Sequence, residues 1–427
     1  MKLTKYKLGE ILDVTRGASL SGEFYATEGK YIRLTCGNFD YQNNCFKENK
    51  SKDNLYYVGD FKPEFLMEEG DIITPLTEQA IGLLGSTAII PESGKYIQSQ
   101  DVAKIICKEE LLDKDFAFYL ISSTLVKQQL SAAAQQTKIR HTSPDKIRDC
   151  TVWIPELAEQ KRIGKLLRSL DRKIELNRAI NQNLEAMAKQ LYDYWFVQFD
   201  FPNEEGKPYK SSGGKMVWNE KLKREIPEGW DISLIKDIAT TYSGGTPKST
   251  NIEYYDNGEI AWINSGELNS PIITKTTNYI TKCGLENSSA KLYPSNSILV
   301  AMYGATAGKV SLLTFEACSN QAVCGVIPTI ENMLYYVYFH ISSLYSHFIT
   351  LSTGSARDNI SQDTIKNILL PIPTRNILKL FDEKIGSIYQ TIVNNYQQID
   401  SLTKQRDELL PLLMNGQVSV NSDLSDD

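Results

Sequence analysis

The segment most suggestive of chemistry is GATAGKVS, Gly304 to Ser311. A phosphate-binding loop needs four residues between its first glycine and the Gly-Lys pair. It also needs Ser or Thr after the lysine to hold Mg²⁺. Here three residues separate Gly304 from Gly308, and Val310 follows Lys309. The glycines therefore read as a tight strand turn, and Lys309 as a side chain able to touch a phosphate. There are three histidines, His141, His340 and His347, with neither an HExxH nor a carboxylate–histidine pair at ligand spacing. His340 and His347 lie on an apolar segment, where packing or a surface role is expected rather than metal binding. His141 lies in a polar loop with Lys138 and Arg140. Seven cysteines include no CxxC, which suits thiols kept reduced in a cytoplasm. An amino-methyltransferase would need Asp/Asn-Pro-Pro-aromatic, and the chain has no Pro-Pro. The expectation is a chain without catalytic residues, metal or cofactor of its own.

If the chain does no chemistry, its organisation must carry its role. Its 427 residues suggest two or three domains. Apolar content of 41% and charged content of 23% suit a globular protein, and a net charge of −6 gives no general attraction to polyanions. MKLTKYKLGEIL has no signal-peptide run, and no stretch is long and apolar enough for a membrane span. The dominant feature is duplication. DKIRDCTVWIPELAEQ, from Asp145, matches TIKNILLPIPTRNIL, from Thr364. Leu8–Gly17 matches Ile235–Gly244, and SQDVAKII from Ser99 matches SNQAVCGVI from Ser319. Each half predicts short strands, then an apolar helix (about Asp113 to Leu130 and Glu331 to Ile349), a polar loop, an Ile-Pro junction and a long helix.

The long helices carry an unbroken alternation of fours and threes, the seam of a coiled coil. In the first it runs Ile163, Leu167, Leu170, Ile174, Asn177, Asn181, Leu184, Ala188, Leu191, Trp195. In the second it runs Phe381, Ile385, Ile388, Ile392, Asn395, Ile399, Leu402, Arg406, Leu409, Leu413, with Arg406 the exception. Either helix is about 50 Å long. Alone, each would expose its seam, so the two are expected to pair. The short polar linker between the halves favours an antiparallel pair, with Asn177 and Asn395 within about a turn of each other. A buried Asn in such a seam can fix register, and the plainer role is a tolerated, partly solvated residue. The expected fold is α+β, with two similar globular domains separated by two antiparallel coiled-coil helices. The boundaries are 1–155 and 229–373 for the domains and 156–199 and 374–416 for the helical regions. Residues 200–228 form the linker, and 417–427 an acidic tail.

Two similar heads on a rigid rod make a ruler, and duplex DNA offers sites about 34–36 Å apart per turn on one face. The full chain resembles the specificity subunit of a type I restriction–modification enzyme. The most specific segment is LYDYWFVQFDFPNEEGKPYKSSGGKMVWNEKLKREIPEGW, Leu191 to Trp230, supported by SGGTP at Ser243, NQAV at Asn320 and the doubled Ile-Pro junction. The first half departs from SGGTP, so its contacts are harder to place. The resemblance implies two target recognition domains reading a split, asymmetric double-stranded DNA site. It implies two modification (methyltransferase) subunits using S-adenosylmethionine. It also implies restriction subunits using ATP and Mg²⁺. The alternative is a coiled-coil scaffold that binds protein without reading DNA. The candidate DNA contacts are Lys138, Arg140 and His141, and Arg357 and Asn359, in the polar loops QQTKIRHTSPDKI and STGSARDNISQDTI. In the major groove Arg suits guanine and Asn suits adenine. The glycine turns add Arg16, Ser19, Thr246 and Lys248, and beside Gly304 stand Tyr303 and Lys309. Solvated loops, hairpin turns and strand packing are the plainer roles for the same residues.

Overall fold

The computed structural model describes residues 2–50, 53–78, 82–133, 140–353 and 360–420. The chain forms two compact units. The first is Met1–Glu175 with Ser401–Asp427, and the second is Leu176–Asp400. Each unit thus holds one globular part and a piece of both long helices.

The globular parts share a topology. The first has a four-stranded antiparallel sheet in the order Ala88–Ile89, Ile72–Pro75, Val102–Cys107, Leu12–Arg16. The second repeats it with Val310–Leu313, Ser297–Ala301, Val323–Pro328, Ala239–Ser243, and adds Ile272–Ile273 at the edge. The second strand of each sheet, Ile72–Pro75 and Ser297–Ala301, is wholly buried, the latter a near-continuous apolar run. The doubled Ile-Pro junction has one structural meaning in both units. Strand Thr151–Ile154 pairs with Thr4–Lys7, and Leu369–Ile372 pairs with Asp231–Leu234. The proline that follows sits where the extended chain turns into a long helix, Leu157–Tyr192 or Arg375–Met414.

The apolar helix expected in each half is two helices instead. Lys114–Ile121 stops before Thr124–Ala133, and Leu334–Ser343 stops before Tyr345–Thr353. Serine pairs cause the break by competing for backbone groups. The Ser122 hydroxyl donates back to the Phe118 carbonyl at 3.1 Å, and Ser123 Oγ accepts from the Val126 N–H at 3.4 Å. Ser342 and Ser343 donate back to the carbonyls of Tyr338 and His340.

The helices pair antiparallel, as contacts inside each unit show. In the first unit the start of one helix and the end of the other share a core with Ile163, Leu167 and Leu413. In the second, Ala188 and Leu184 pack with Phe381, Ile385 and Ile392. Ile163, Leu167, Leu170, Ile174, Phe381, Ile385 and Ile392 are buried. Leu184, Leu402 and Leu409 are partly buried, as are Leu191 and Ile388, whose neighbours Tyr192 and Tyr389 take the innermost places. Asn395 Nδ2 donates to Asn181 Oδ1 at 2.8 Å, and both are buried. Asn177 lies one turn away and donates to Gln398 at 3.1 Å. Arg406 is buried too, its guanidinium 2.8 Å from Asp171 Oδ1. Asp171 Oδ2 accepts from the Tyr119 hydroxyl at 2.5 Å.

The first long helix ends in a π-turn, Asp193–Val197, that carries Trp195 and Phe196 into the second unit's core. The linker beyond it is folded. Phe201 stacks between Tyr209 and Trp230, with ring centroids 4.7 and 5.2 Å away. Met216–Asn219 and Arg224–Pro227 form a hairpin. His340 packs against this region. Its Nε2 lies 3.3 Å from the Leu369 carbonyl, which can only accept, so Nε2 carries the proton and Nδ1 accepts from the Tyr192 hydroxyl at 3.2 Å. Burial lowers its pKa to about 4. The folded state therefore holds neutral imidazole, whereas the unfolded chain protonates near pH 6.5. Full stability is present above about pH 6.5 and is lost as pH falls towards 4, up to about 3 kcal/mol for this residue. Urea midpoints of the second unit measured across pH 7 to 4 should show this slope. His340→Gln should flatten it.

Candidate nucleic-acid interface

Strand register gathers several loops at one end of each main sheet. In the second unit Ser243 opposes Cys324, and Ala301 opposes Val323. The segments 244–251, 302–309 and 320–322 therefore leave the sheet on the same side. In the first unit Arg16 opposes Ala103 and Pro75 opposes Val102, which places Gly17–Ser21, Leu76–Glu78 and Ser99–Asp101 on the matching rim.

The frame beneath each rim is the same. A short helical turn begins at Thr35 or Asn264. The Thr35 N–H donates to Asn38 Oδ1, and the Asn264 N–H to Glu267 Oε1, both at 2.9 Å. A glycine then lets two backbones meet. A Cβ on Gly17 would lie 2.3 Å from the Gln98 carbonyl oxygen, and one on Gly244 would lie 2.2 Å from that of Asn320. Side chains join the loops. Trp262 Nε1 donates to the Gly245 carbonyl at 2.9 Å, Asn320 Nδ2 to Asn264 Oδ1 at 3.2 Å, and the Thr306 hydroxyl to the Ser265 carbonyl at 2.9 Å. The rim is thereby held rigidly while its outer side chains remain accessible.

Most of the described candidate residues fall on these rims. Arg16 ends its strand exposed, with Nε donating to the Gln100 carbonyl at 2.9 Å, and Ser19 is exposed just beyond. Arg140 and His141 pair through their backbones with Glu78 and Thr77. His141 is exposed, its Nδ1 3.4 Å from the Thr77 hydroxyl. Thr246 and Lys248 are exposed, and the Thr246 hydroxyl donates to Gln321 Oε1. Lys309 is half-buried and donates to Asn269 Oδ1. Tyr303 is half-buried against the core, and burial pushes its hydroxyl pKa up. Lys138, Arg357 and Asn359 lie outside the described residues. Gly304 and Gly308 have φ of +86° and +79°, and the Gly308 N–H returns to the Ala301 carbonyl at 2.8 Å. The segment is thus a strand turn. Among the described residues no His/Cys/Asp/Glu group is placed to hold a metal ion. No described helix is long and apolar enough to cross a membrane.

The family described as Type I restriction modification DNA specificity domain matches this chain twice, over residues 2–186 and 227–409. The chain belongs to that family. Its two specificity domains each span one globular part and most of the following helix. Among curated proteins it is similar to the type I restriction enzyme MjaIX specificity subunit of Methanocaldococcus jannaschii. That pair is 25% identical over 326 residues, 75% of this chain and 73% of the relative. It is 26% identical over 377 residues to the HindI specificity subunit of Haemophilus influenzae, covering 76% of this chain and 81% of the relative. A crystal structure of the type I restriction–modification S subunit from M. genitalium shares the fold, with a TM-score of 0.61 at 15% identity over 97% of this chain and 96% of that one.

The specificity domains also contain rim residues that sequence comparison passed over. Matching SQD with SNQ sets Ser99 against Ser319. The strand register instead equates Ser99 with Asn320 and Gln100 with Gln321, because Ala103 and Cys324 hold the same place beside Arg16 and Ser243. Gln100 and Gln321 are both exposed at the tip of this turn.

Proposed function

We propose that this chain is the DNA sequence-specifying subunit of a type I restriction–modification complex. Each specificity domain reads one half of a bipartite, asymmetric double-stranded site. The paired helices fix the unread spacer and dock two modification (methyltransferase) subunits, which restriction (motor nuclease) subunits join. Chemistry belongs to those partners, with S-adenosylmethionine in the modification subunits and ATP with Mg²⁺ in the restriction subunits. The assembly works in the cytoplasm.

The observation that carries this reading is the duplicated rim. Both units keep the same glycine contact and capped turn, yet Arg16 stands where the other unit has Ser243. A shared frame with different outer residues suits two heads that ask the same kind of question of different sequences. Contacts to phosphate position a protein on DNA, and side chains at base edges select the sequence.

The test is a modified-base map of the host genome with and without the gene. Loss of methylation at one split, asymmetric motif on deletion is the expected result. Survival of every methylated motif, with partners still captured by the chain, would favour a scaffold and overturn the proposal.

A further inference from the structure

We infer that Gln100 and Gln321 are a matched pair of phosphate anchors, one in each specificity domain, and that they carry no sequence information. The assignment rests on the specificity reading above. A split, asymmetric target requires the two heads to select different bases. A residue of the same type at the same register position in both heads suits the part of the task common to both, which is holding the sugar–phosphate backbone.

The local chemistry agrees. In the second unit Gln321 Oε1 accepts from the Thr246 hydroxyl. That bond anchors the carboxamide in the turn. A hydroxyl can donate or accept, and even with the amide reversed one of its two N–H groups still faces outward. With the oxygen on Thr246, the NH₂ group is the outward donor. A phosphate oxygen only accepts, so it matches an NH₂ group. Reading adenine would call on oxygen and NH₂ together. The turn is also held from behind. Asn320 Oδ1 accepts from the Ala322 N–H at 3.1 Å, and the Asn320 side chain donates to Asn264. In the first unit Arg16 Nε fixes the Gln100 carbonyl, and Ser19 holds the sequence position that Thr246 holds in the second. Thr246 is therefore a positioning residue, acting through Gln321. The bases are left to rim residues that differ between the heads.

The experiment uses the assembled complex with its modification subunits. Its probes are a duplex carrying the mapped motif and a set of duplexes altered at each motif position in turn. Gln321→Ala and Gln100→Ala should each weaken binding about tenfold, the effect of losing one hydrogen bond to a charged group. The loss should be equal on every duplex. The dependence of affinity on salt should keep its slope, since a neutral amide displaces no counterion. Thr246→Val should produce a smaller, equally uniform loss. A changed preference at one motif position in Gln321→Ala would overturn the proposal by making Gln321 a base reader. Unchanged affinity in both glutamine variants would overturn it as well. A wild-type complex with no preference for a split site would overturn the specificity reading, which separates that failure from this one.

Discussion

Gly244→Ala is expected to reduce methylation at the split site about a hundredfold or more while leaving the first unit folded. The added Cβ would lie 2.2 Å from the Asn320 carbonyl oxygen, 2.3 Å from Ser319 Oγ and 2.4 Å from the Ser319 carbonyl oxygen. Two of these atoms are backbone, so the turn itself must move. Inserting a methyl group into a packed site costs about 1–3 kcal/mol of stability. The functional loss is larger, because the displaced turn bears several rim contacts and each mismatched base position costs about 1–3 kcal/mol of binding. Gly17→Ala should act in the same way on the other half-site, its Cβ meeting the Gln98 and Ser99 carbonyl oxygens at 2.3 and 2.4 Å. Gly266→Ala is the control. It lies in the capped turn beneath the same rim, nothing stands within 4 Å of its Cβ, and its methylation should match the parent. Base-modification sequencing and urea unfolding of the three variants check all of this. A Gly244→Ala chain that methylates normally would show that the turn tolerates displacement.

Asp171→Ala is expected to be the most destabilising single change in the first unit, costing about 3–5 kcal/mol. Asp171 and Arg406 side chains are each only 10% exposed, and they meet at 2.8 Å. Removing the carboxylate leaves the guanidinium buried with Asp407, itself 58% exposed, as the remaining partner. It also strips the Tyr119 hydroxyl of its acceptor. A domain has about 5–15 kcal/mol in total, so this loss is a large share. Replacing both charges, Asp171→Leu with Arg406→Leu, should restore most of it, because two apolar groups need no partner. In urea the first unit's transition should move to lower concentration in the single variant and return in the double one. The second unit's transition should stay in place. A single variant as stable as the parent would mean that water already solvates Arg406.

The repeat and both long helices were legible in the sequence because their signals are periodic. Alternating fours and threes need no knowledge of the partner, and Ile163 to Ile174 in one seam and Phe381, Ile385 and Ile392 in the other proved to be buried. Arg406 looked like a flaw because its explanation, Asp171, lies on the other helix and beside the seam. The two breaks in the apolar helices were hidden by their continuous hydrophobicity, although Ser122–Ser123 and Ser342–Ser343 mark them once backbone competition is considered. The rim was legible only in part. Gly17 and Gly244 could be aligned by eye, but the backbone each one touches is set by strand register. That register moved the match by one residue and brought Gln100 and Gln321 together.

The division of the chain into Leu176–Asp400 and the two pieces flanking it has a consequence for biosynthesis. As the chain leaves the ribosome the first globular part appears first, yet its unit waits longest. The Arg406 partner of Asp171, the buried Leu413 and the Val420 N–H that donates to Glu159 at 3.1 Å are all made after the second unit. The second unit is continuous and can close beforehand. Closing the first then requires ends separated by a whole folded unit to find each other, a loop cost that grows only slowly with length. A premature stop shortly after Asp400 would therefore spare the head translated second and disable the head translated first.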